Sequence, residues 1–280
     1  MGACSIAVIG GGKMGEAILS GWISSSQPPA DGITAADVIV AEPGEERRAY
    51  LTKTHGVKCV ADAAGIEQAD IVVLAVKPQV MMDVLRVVSA TPAFQGGADG
   101  PLFISIAAGL PTARIEEALP AGARLVRVMP NMPLSIGAGA SGVCGGAHVE
   151  CESVDLVSSL FGCLGRAVVV DESEMDVVCA LSGSGPAYVA AMVEALRDAA
   201  VHHGLEAGLA ETLALQTVLG TARLMDESEL TIAETRESIC SPGGTTIAAL
   251  DAMYAAGFDG VFASGVDAAV ARSKELAQCS

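Results

Sequence analysis

Large rings are scarce in this sequence: Trp, Tyr and Phe make up 3% of its 280 residues, although hydrophobic residues reach 51%. A core so poor in aromatics has to be filled by Ala, Val, Leu and Ile in close-packed helices and buried strands, which favours an α-rich or α/β protein. Basic residues are equally short, with 16 Lys and Arg against 33 Asp and Glu and a formal net charge of -17. A field of that sign repels phosphate backbones and anionic lipid surfaces, so neither a nucleic-acid nor a membrane partner is expected. No run attains the roughly 18 consecutive apolar residues of a spanning helix, and the apolar Cys4–Gly12 segment lacks a basic leader. A cytoplasmic protein is the expectation. The eight cysteines include no C-x-x-C pair, and several sit inside apolar runs, which suits reduced, buried thiols. His55, His148, His202 and His203 have no ligand spacing, so no metal is expected, and the His202-His203 pair reads as a helix surface.

What the chain does have is glycine, 32 residues of it, and apolar runs in a strand-helix rhythm. Ser5–Ile9 ends in glycines and is followed by helix-compatible Lys13–Ile23. Asp37–Ala41 reads as a second strand, Glu45–His55 as a helix, and Val57–Val60, Ile71–Val76, Leu102–Ile106 and Arg124–Val128 as further strands. The unbroken apolar run Ile71–Val76 lacks two-residue alternation, as in a parallel sheet covered by helices on both faces. Gly139–Cys144 and Ala167–Val170, around a helix near Cys151–Phe161, extend the sheet at its edge. After Asp171 the texture is helical throughout, in Met175–Ala180, Ala187–His203, Leu209–Leu224 and Thr245–Ala256. The expected architecture is therefore α/β: a doubly wound, Rossmann-type sheet over residues 1–170, then an all-helical domain over 171–280. The helices of the second part carry wide apolar stripes that about 110 residues cannot bury alone, so subunits are expected to interlock through it.

Gly10, Gly12 and Gly15 stand in G-x-G-x-x-G spacing between the first strand and the first helix, the context that makes this weak motif informative. Gly10 permits the tight turn, Gly12 lets a pyrophosphate approach the backbone around Lys13 and Met14, and Gly15 lets helix and strand pack closely. The helix amino terminus favours the anion. A Gly-rich connector is the plain alternative, and a P-loop fits less well still, because Lys13 is followed by Met14 rather than Ser or Thr. Glu42, ending the second strand, suits the hydroxyls of an adenosine ribose and repels a 2′-phosphate, which points to NADH. Arg47 and Arg48 follow, either as a solvated helix face or as partners for the 2′-phosphate of NADPH.

Five segments extend the pattern: Ala75-Val76-Lys77-Pro78-Gln79, Ser105-Ile106-Ala107-Ala108-Gly109, Arg127-Val128-Met129-Pro130-Asn131-Met132-Pro133, Leu181–Tyr188 and Ser241-Pro242-Gly243-Gly244-Thr245-Thr246. In order, and over nearly the whole chain, they resemble the pyrroline-5-carboxylate reductases. The resemblance implies a Rossmann domain, a helical domain that dimerises by interlocking, and in many members assembly of those dimers, up to a decamer. It implies reduction of 1-pyrroline-5-carboxylate to L-proline with NADPH or NADH, the last step of proline biosynthesis.

By the same resemblance, Ala75, Val76, Lys77 and Pro78 line the cofactor, Ala107, Ala108 and Gly109 leave room for the nicotinamide, and Asn131 is an amide partner on that side. Position 132 departs from the pattern, with Met132 where the family usually has Thr. Asp62 stands where many members have Asn near the adenosine ribose, and adds to the acidity of Glu42. Ser182 opens a segment that reads as a helix cap with Pro186 in the first turn, and the resemblance places it toward the substrate. Consecutive backbone N–H groups around Ser241, Gly243, Gly244 and Thr245 suit one carboxylate. The resemblance gives Thr246 the imine nitrogen, and Glu229 a place near that nitrogen from a neighbouring subunit. A plain turn and cap at Ser241–Thr246 and an ordinary acidic helix connection at Glu229 are the alternatives.

The chemistry is compatible with what is missing. A protonated imine already accepts hydride, so no strong base is required. A hydroxy-acid dehydrogenase of similar build would need a placed Lys or His, whereas Lys274 is the sole lysine after residue 170. A related imine or keto-acid reductase, and an idle cofactor-binding scaffold, stay open at the level of sequence.

Overall fold

A computed structural model describes residues 5–279, apart from the side chains of Gln278 and Cys279; Cys4 lies outside the described residues. The first strand, β1 (Ile6–Ile9), is buried along its length. It is followed by α1 (Lys13–Ser24), β2 (Val38–Ala41), α2 (Glu45–His55), β3 (Lys58–Val60), β4 (Ile71–Leu74), α3 (Pro78–Ala90), β5 (Leu102–Ser105), α4 (Thr112–Glu116), β6 (Arg124–Met129), β7 (Gly139–Gly145), α5 (Cys151–Gly162) and β8 (Gly165–Val169). The strands form one sheet in the order β3-β2-β1-β4-β5-β6-β7-β8. All neighbours are parallel except β6 and β7, which run antiparallel.

Alternate residues of the central strands feed two separate cores, as the pleat requires. Ile6, Val8, Val38, Val40, Val73 and Ile104 pack against Ile18, Leu19 and Trp22 of α1 and Phe161 of α5. Ala7, Ile9, Val72, Leu74, Phe103 and Leu125 pack against Met81, Leu85 and Val88 of α3. Both faces are apolar because both are covered, which explains the unbroken runs in the sequence. Trp22 is buried and still satisfied, since its indole N–H donates to the Leu160 carbonyl at 2.9 Å.

Several strands are shorter than their apolar runs. β4 stops at Leu74, although the run continues to Val76. After Ala75, whose N–H donates to the Ile9 carbonyl at 2.8 Å, the chain leaves the sheet. β1 lies between β2 and β4 while the chain winds outward on either side, so the crevice at the carboxyl ends of β1 and β4 is a topological switch point, where ligands of such sheets bind.

Beyond the sheet come α6 (Met175–Val178), a π-helical turn at Cys179–Gly183, α7 (Gly185–His202), α8 (Ala207–Glu227), α9 (Ile232–Ile239), α10 (Thr245–Ala255) and α11 (Phe258–Cys279). The chain forms two compact units, one running to Ser184 and including the stretch from Ala269 on, the other Gly185–Ala268. The last strand ends at Val169, beside the change of texture, but the units divide later. Met175 and Ala180 are buried in the first unit, and there Ser273 donates its hydroxyl to Asp176 at 2.6 Å.

Among the described helices, the short α4 and the longer α9 and α11 have no counterpart in the sequence reading. α11 is rich in Ala and interrupted by Gly260 and Gly265, which weaken the local helical signal. α9 was obscured by its acidic surroundings, although Thr231 and Glu234 form a full capping box at its start.

In the helical unit, α7 and α10 have no buried residue and α8 buries only Ala210 and Ala214. Leu196, Leu213, Leu219, Val261 and Phe262 are exposed. The helical run Glu172–His202 is long and apolar enough by length and composition to cross a membrane, and very little of it is buried. That departs from the expectation drawn from consecutive apolar residues, because Ser, Gly and Pro interrupt the run without lowering its mean hydropathy far.

Candidate active site

The glycine turn is built as its spacing requires. Gly10 adopts φ 108°, and a Cβ there would lie 2.5 Å from the Ala75 carbonyl oxygen. At Gly15 a Cβ would come within 2.2 Å of the Gly10 carbonyl oxygen, so close packing of α1 on β1 excludes any side chain. Gly12 is different: nothing lies within 4 Å of its added Cβ. It is the N-cap of α1 and carries no side-chain cap, leaving the first N–H groups of the helix, from Lys13 and Met14 on, for an anion. Rigid Gly10 and Gly15 therefore frame an open Gly12.

Between them, Gly11 is held by side chains at both main-chain groups. Its N–H donates to Glu42 Oε2 at 3.0 Å, and its carbonyl accepts from Arg47 Nε at 2.6 Å. Glu42 Oε1 accepts from the Gly44 N–H at 2.9 Å. A carboxylate has about four acceptor positions, so Glu42 retains capacity for ribose hydroxyls. Neither arginine is a solvated helix face. Arg47 reaches Glu16, and Arg48 donates to the carbonyls of Glu42 and Pro43.

Asp62 is exposed and caps a short turn, accepting from the Ala64 N–H at 3.0 Å. Ala75 and Val76 are half-buried beside Gly10, Lys77 is exposed as the N-cap of α3, and Pro78 takes the first turn. Ala107 is buried and Ala108 half-buried. Gly109, at φ 74°, is small for a reason the sequence did not suggest: a Cβ there would lie 3.1 Å from the Ser273 carbonyl oxygen and 3.0 Å from Leu276.

Asn131 is tied into the protein itself, with one N–H and one lone pair of its amide left over. Its Oδ1 accepts from the Ala140 N–H at 2.8 Å and its Nδ2 donates to the Ser182 carbonyl at 3.0 Å, so both ends of the amide are engaged within the protein. The Ser182 segment is not a helix cap. It lies in the π-helical turn, where the Ser184 N–H reaches the Cys179 carbonyl at 2.9 Å, and the Ser182 hydroxyl donates back to the Val178 carbonyl at 2.9 Å. Pro186 has no N–H to give the Ser182 carbonyl four residues earlier, which leaves that oxygen for Asn131. Met132 is exposed.

A buried ionic cluster went unread in the sequence. Arg127 Nη1 pairs with Glu172 Oε1 at 2.5 Å, and the Cys144 thiol donates to Glu172 Oε2 at 3.0 Å. Burial, with the adjoining Glu172, pushes the Cys144 thiol far above its ordinary pKa, and burial also raises Cys179. Both are free thiols, as are Cys59, Cys151, Cys163 and Cys240. Among the described residues no His, Cys, Asp and Glu group has the arrangement of a metal site.

In the helical unit, Gly243 adopts φ 70° with nothing near its Cβ direction. Gly244 is the N-cap of α10, with no side-chain cap and its own N–H turned to the Ser241 carbonyl at 2.9 Å. The N–H groups of Thr245 and Thr246 open α10 with no side-chain acceptor. Ser241 and Thr245 are exposed and Thr246 half-buried. Glu229 is exposed in the bend between α8 and α9.

Comparison with known proteins places two family models on the chain. Residues 172–276 match the family model described as pyrroline-5-carboxylate reductase dimerisation, and residues 5–109 one described as NADP oxidoreductase coenzyme F420-dependent. The chain is 41% identical over 276 residues, 98% of each sequence, to the pyrroline-5-carboxylate reductase of Synechocystis. It superposes on a pyrroline-5-carboxylate reductase structure from Coxiella burnetii with a TM-score of 0.88, at 35% identity and 98% coverage of both chains. A Plasmodium falciparum pyrroline carboxylate reductase with NADP bound gives a TM-score of 0.83 at 28% identity, again with 98% of both chains covered.

Proposed function

The chain belongs to the pyrroline-5-carboxylate reductase family, and we propose that it reduces 1-pyrroline-5-carboxylate to L-proline with NADH or NADPH, the last step of proline biosynthesis. The observation that carries the reading is the open Gly12 at the start of α1, framed by two glycines that admit no side chain. That geometry suits a dinucleotide pyrophosphate.

When bound, the nicotinamide supplies a hydride to the imine carbon. The chain's own work is to bind and orient. Lys13, Met14 and Gly15 present the helix start to the pyrophosphate, Glu42 accepts from the adenosine ribose with Asp62 nearby, and Ala75–Pro78 with Ala107–Gly109 shape the crevice. Ser241, Gly243 and Thr245 offer N–H and hydroxyl groups to the substrate carboxylate, Gly244, whose own N–H is bonded to the Ser241 carbonyl, lets the carboxylate approach the helix start, and Thr246 places its hydroxyl for the ring nitrogen. Ser182 and Glu229 complete the substrate surroundings, Glu229 from a second subunit. Asn131 serves this site through the loop it holds. Two carboxylates, Glu42 and Asp62, at the adenosine end favour NADH over NADPH.

The exposed apolar helices of Gly185–Ala268 are the surface of a homodimer, which agrees with the dimerisation model that matches there. Burial of Glu172–His202 against a second copy, rather than in a bilayer, accounts for its hydropathy. Dimers assemble further, up to a decamer, in the cytoplasm.

The test follows oxidation of NADH and NADPH with racemic pyrroline-5-carboxylate and with a six-membered imine acid. Preferred turnover of the five-membered ring supports the reading. Faster turnover of the larger ring would transfer the chain to a related imine reductase, and nucleotide binding without turnover would make it an idle binder.

A further inference from the structure

Glu16, one turn into α1, accepts two hydrogen bonds from α2: Arg47 Nη2 at 2.5 Å and His55 Nε2 at 2.8 Å. Arg47 also donates Nε to the Gly11 carbonyl at 2.6 Å, and its guanidinium lies 4.9 Å from the centre of the Tyr50 ring. The Glu16 and Arg47 side chains are 20% and 30% exposed, so the pair is shielded but not sealed. Burial alone would raise the Glu16 carboxyl; the bonds from His55 and Arg47, with the charge of Arg47 and a smaller contribution from the Tyr50 hydroxyl, outweigh it and hold the group below its ordinary range. The carboxylate is therefore ionised at neutral pH and its charge is matched by Arg47. Arg48, the neighbouring arginine of this segment, turns Nη1 to the neutral Glu42 and Pro43 carbonyls and, among the described residues, makes no hydrogen bond to the glycine turn.

A dinucleotide carrying a 2′-phosphate needs an arginine with charge to spare beside the end of β2. Arg47 stands at that place, but its charge is taken. We propose that Glu16 is a specificity-determining residue that disfavours NADPH by keeping Arg47 neutralised against the glycine turn. This rests on the NADH reading above and adds its cause. Removing Glu42 would relieve repulsion but leave Arg47 matched. Removing the Glu16 charge leaves Arg47 anchored through Nε on Gly11, with an unmatched guanidinium next to the ribose position.

The experiment compares kcat/KM for NADPH and NADH in the wild type, Glu16→Gln, Arg47→Ala and the double variant, with pyrroline-5-carboxylate saturating. Both rates come from the same active fraction, so partial unfolding does not move their ratio. Glu16→Gln is expected to raise the NADPH:NADH ratio about tenfold, the size of one charge-assisted bond, mainly through a lower KM for NADPH. Adding Arg47→Ala must abolish that gain. An unchanged ratio in Glu16→Gln, or a gain that survives loss of Arg47, overturns the role of Glu16. A wild type that already prefers NADPH overturns the NADH reading instead, and the premise with it.

Discussion

The side-chain amide of Asn131 donates to the main-chain carbonyl of Ser182 at 3.0 Å, across 51 residues of sequence. That carbonyl is available because Pro186 cannot claim it for the helix. With its other end on the Ala140 N–H, Asn131 ties the loop after β6, the start of β7 and the π-helical turn ahead of α7. Its value to the site lies in what it holds. Asn131→Leu keeps the volume and leaves two half-buried main-chain groups without this partner, at up to about 1–3 kcal/mol for each. Urea unfolding should show that loss, and an unchanged midpoint would remove the positioning role.

Two glycines of one motif should fail differently. Gly12→Val adds a side chain into open space, so thermal stability should stay near that of the wild type while dinucleotide binding, read by fluorescence or calorimetry, is lost. Gly15→Ala drives a Cβ toward the Gly10 carbonyl oxygen at 2.2 Å. Backbone cannot give way as a flexible side chain would, so this smaller change should destabilise by about 1–3 kcal/mol. A Gly12→Val protein that binds dinucleotide normally would contradict the assignment of the turn.

Thr246 should act on turnover alone. Loss of its hydroxyl in Thr246→Ala is expected to lower kcat about tenfold or more, with dinucleotide affinity unchanged. A fall in cofactor binding with kcat preserved would place the residue elsewhere.

The thiols should divide by burial. Cys144 is buried, bonded to Glu172 and raised in pKa, which favours the unreactive thiol over the thiolate. Cys151 is exposed at the start of α5. Alkylation at pH 8 followed by mass spectrometry should label Cys151 in the native protein and Cys144 only after denaturation. Early labelling of Cys144 would show that the Arg127–Glu172 cluster opens readily.

Association should depend on the apolar helices. Light scattering at micromolar concentration is expected to report a dimer or a multiple of it, and Phe262→Asp, on the exposed face of α11, should shift the population toward monomer. A monomeric wild type would leave the unburied leucines of α8 without an explanation.

The strand-helix series, the glycine turn, the helical second half and the family were legible from local signals, because each depends on residues close in sequence. Unbroken apolar runs report two covered faces, and G-x-G-x-x-G reports a turn that only glycine can make. The Ser241–Thr246 segment was legible on the same grounds, as an uncapped helix start. Contacts between distant residues left no such trace. Glu16, Arg47 and His55 meet because α1 and α2 lie on one face of the sheet, and nothing in their spacing predicts that the arginine is already matched. Asn131 and Ser182 meet through a register shift of the helix that no periodicity announces, and Gly109 is small to admit a helix that begins 149 residues later at Phe258. Local order thus follows from propensity and pattern in the sequence itself. Which polar groups satisfy one another is decided only when the fold removes water and leaves each buried donor a single acceptor within reach.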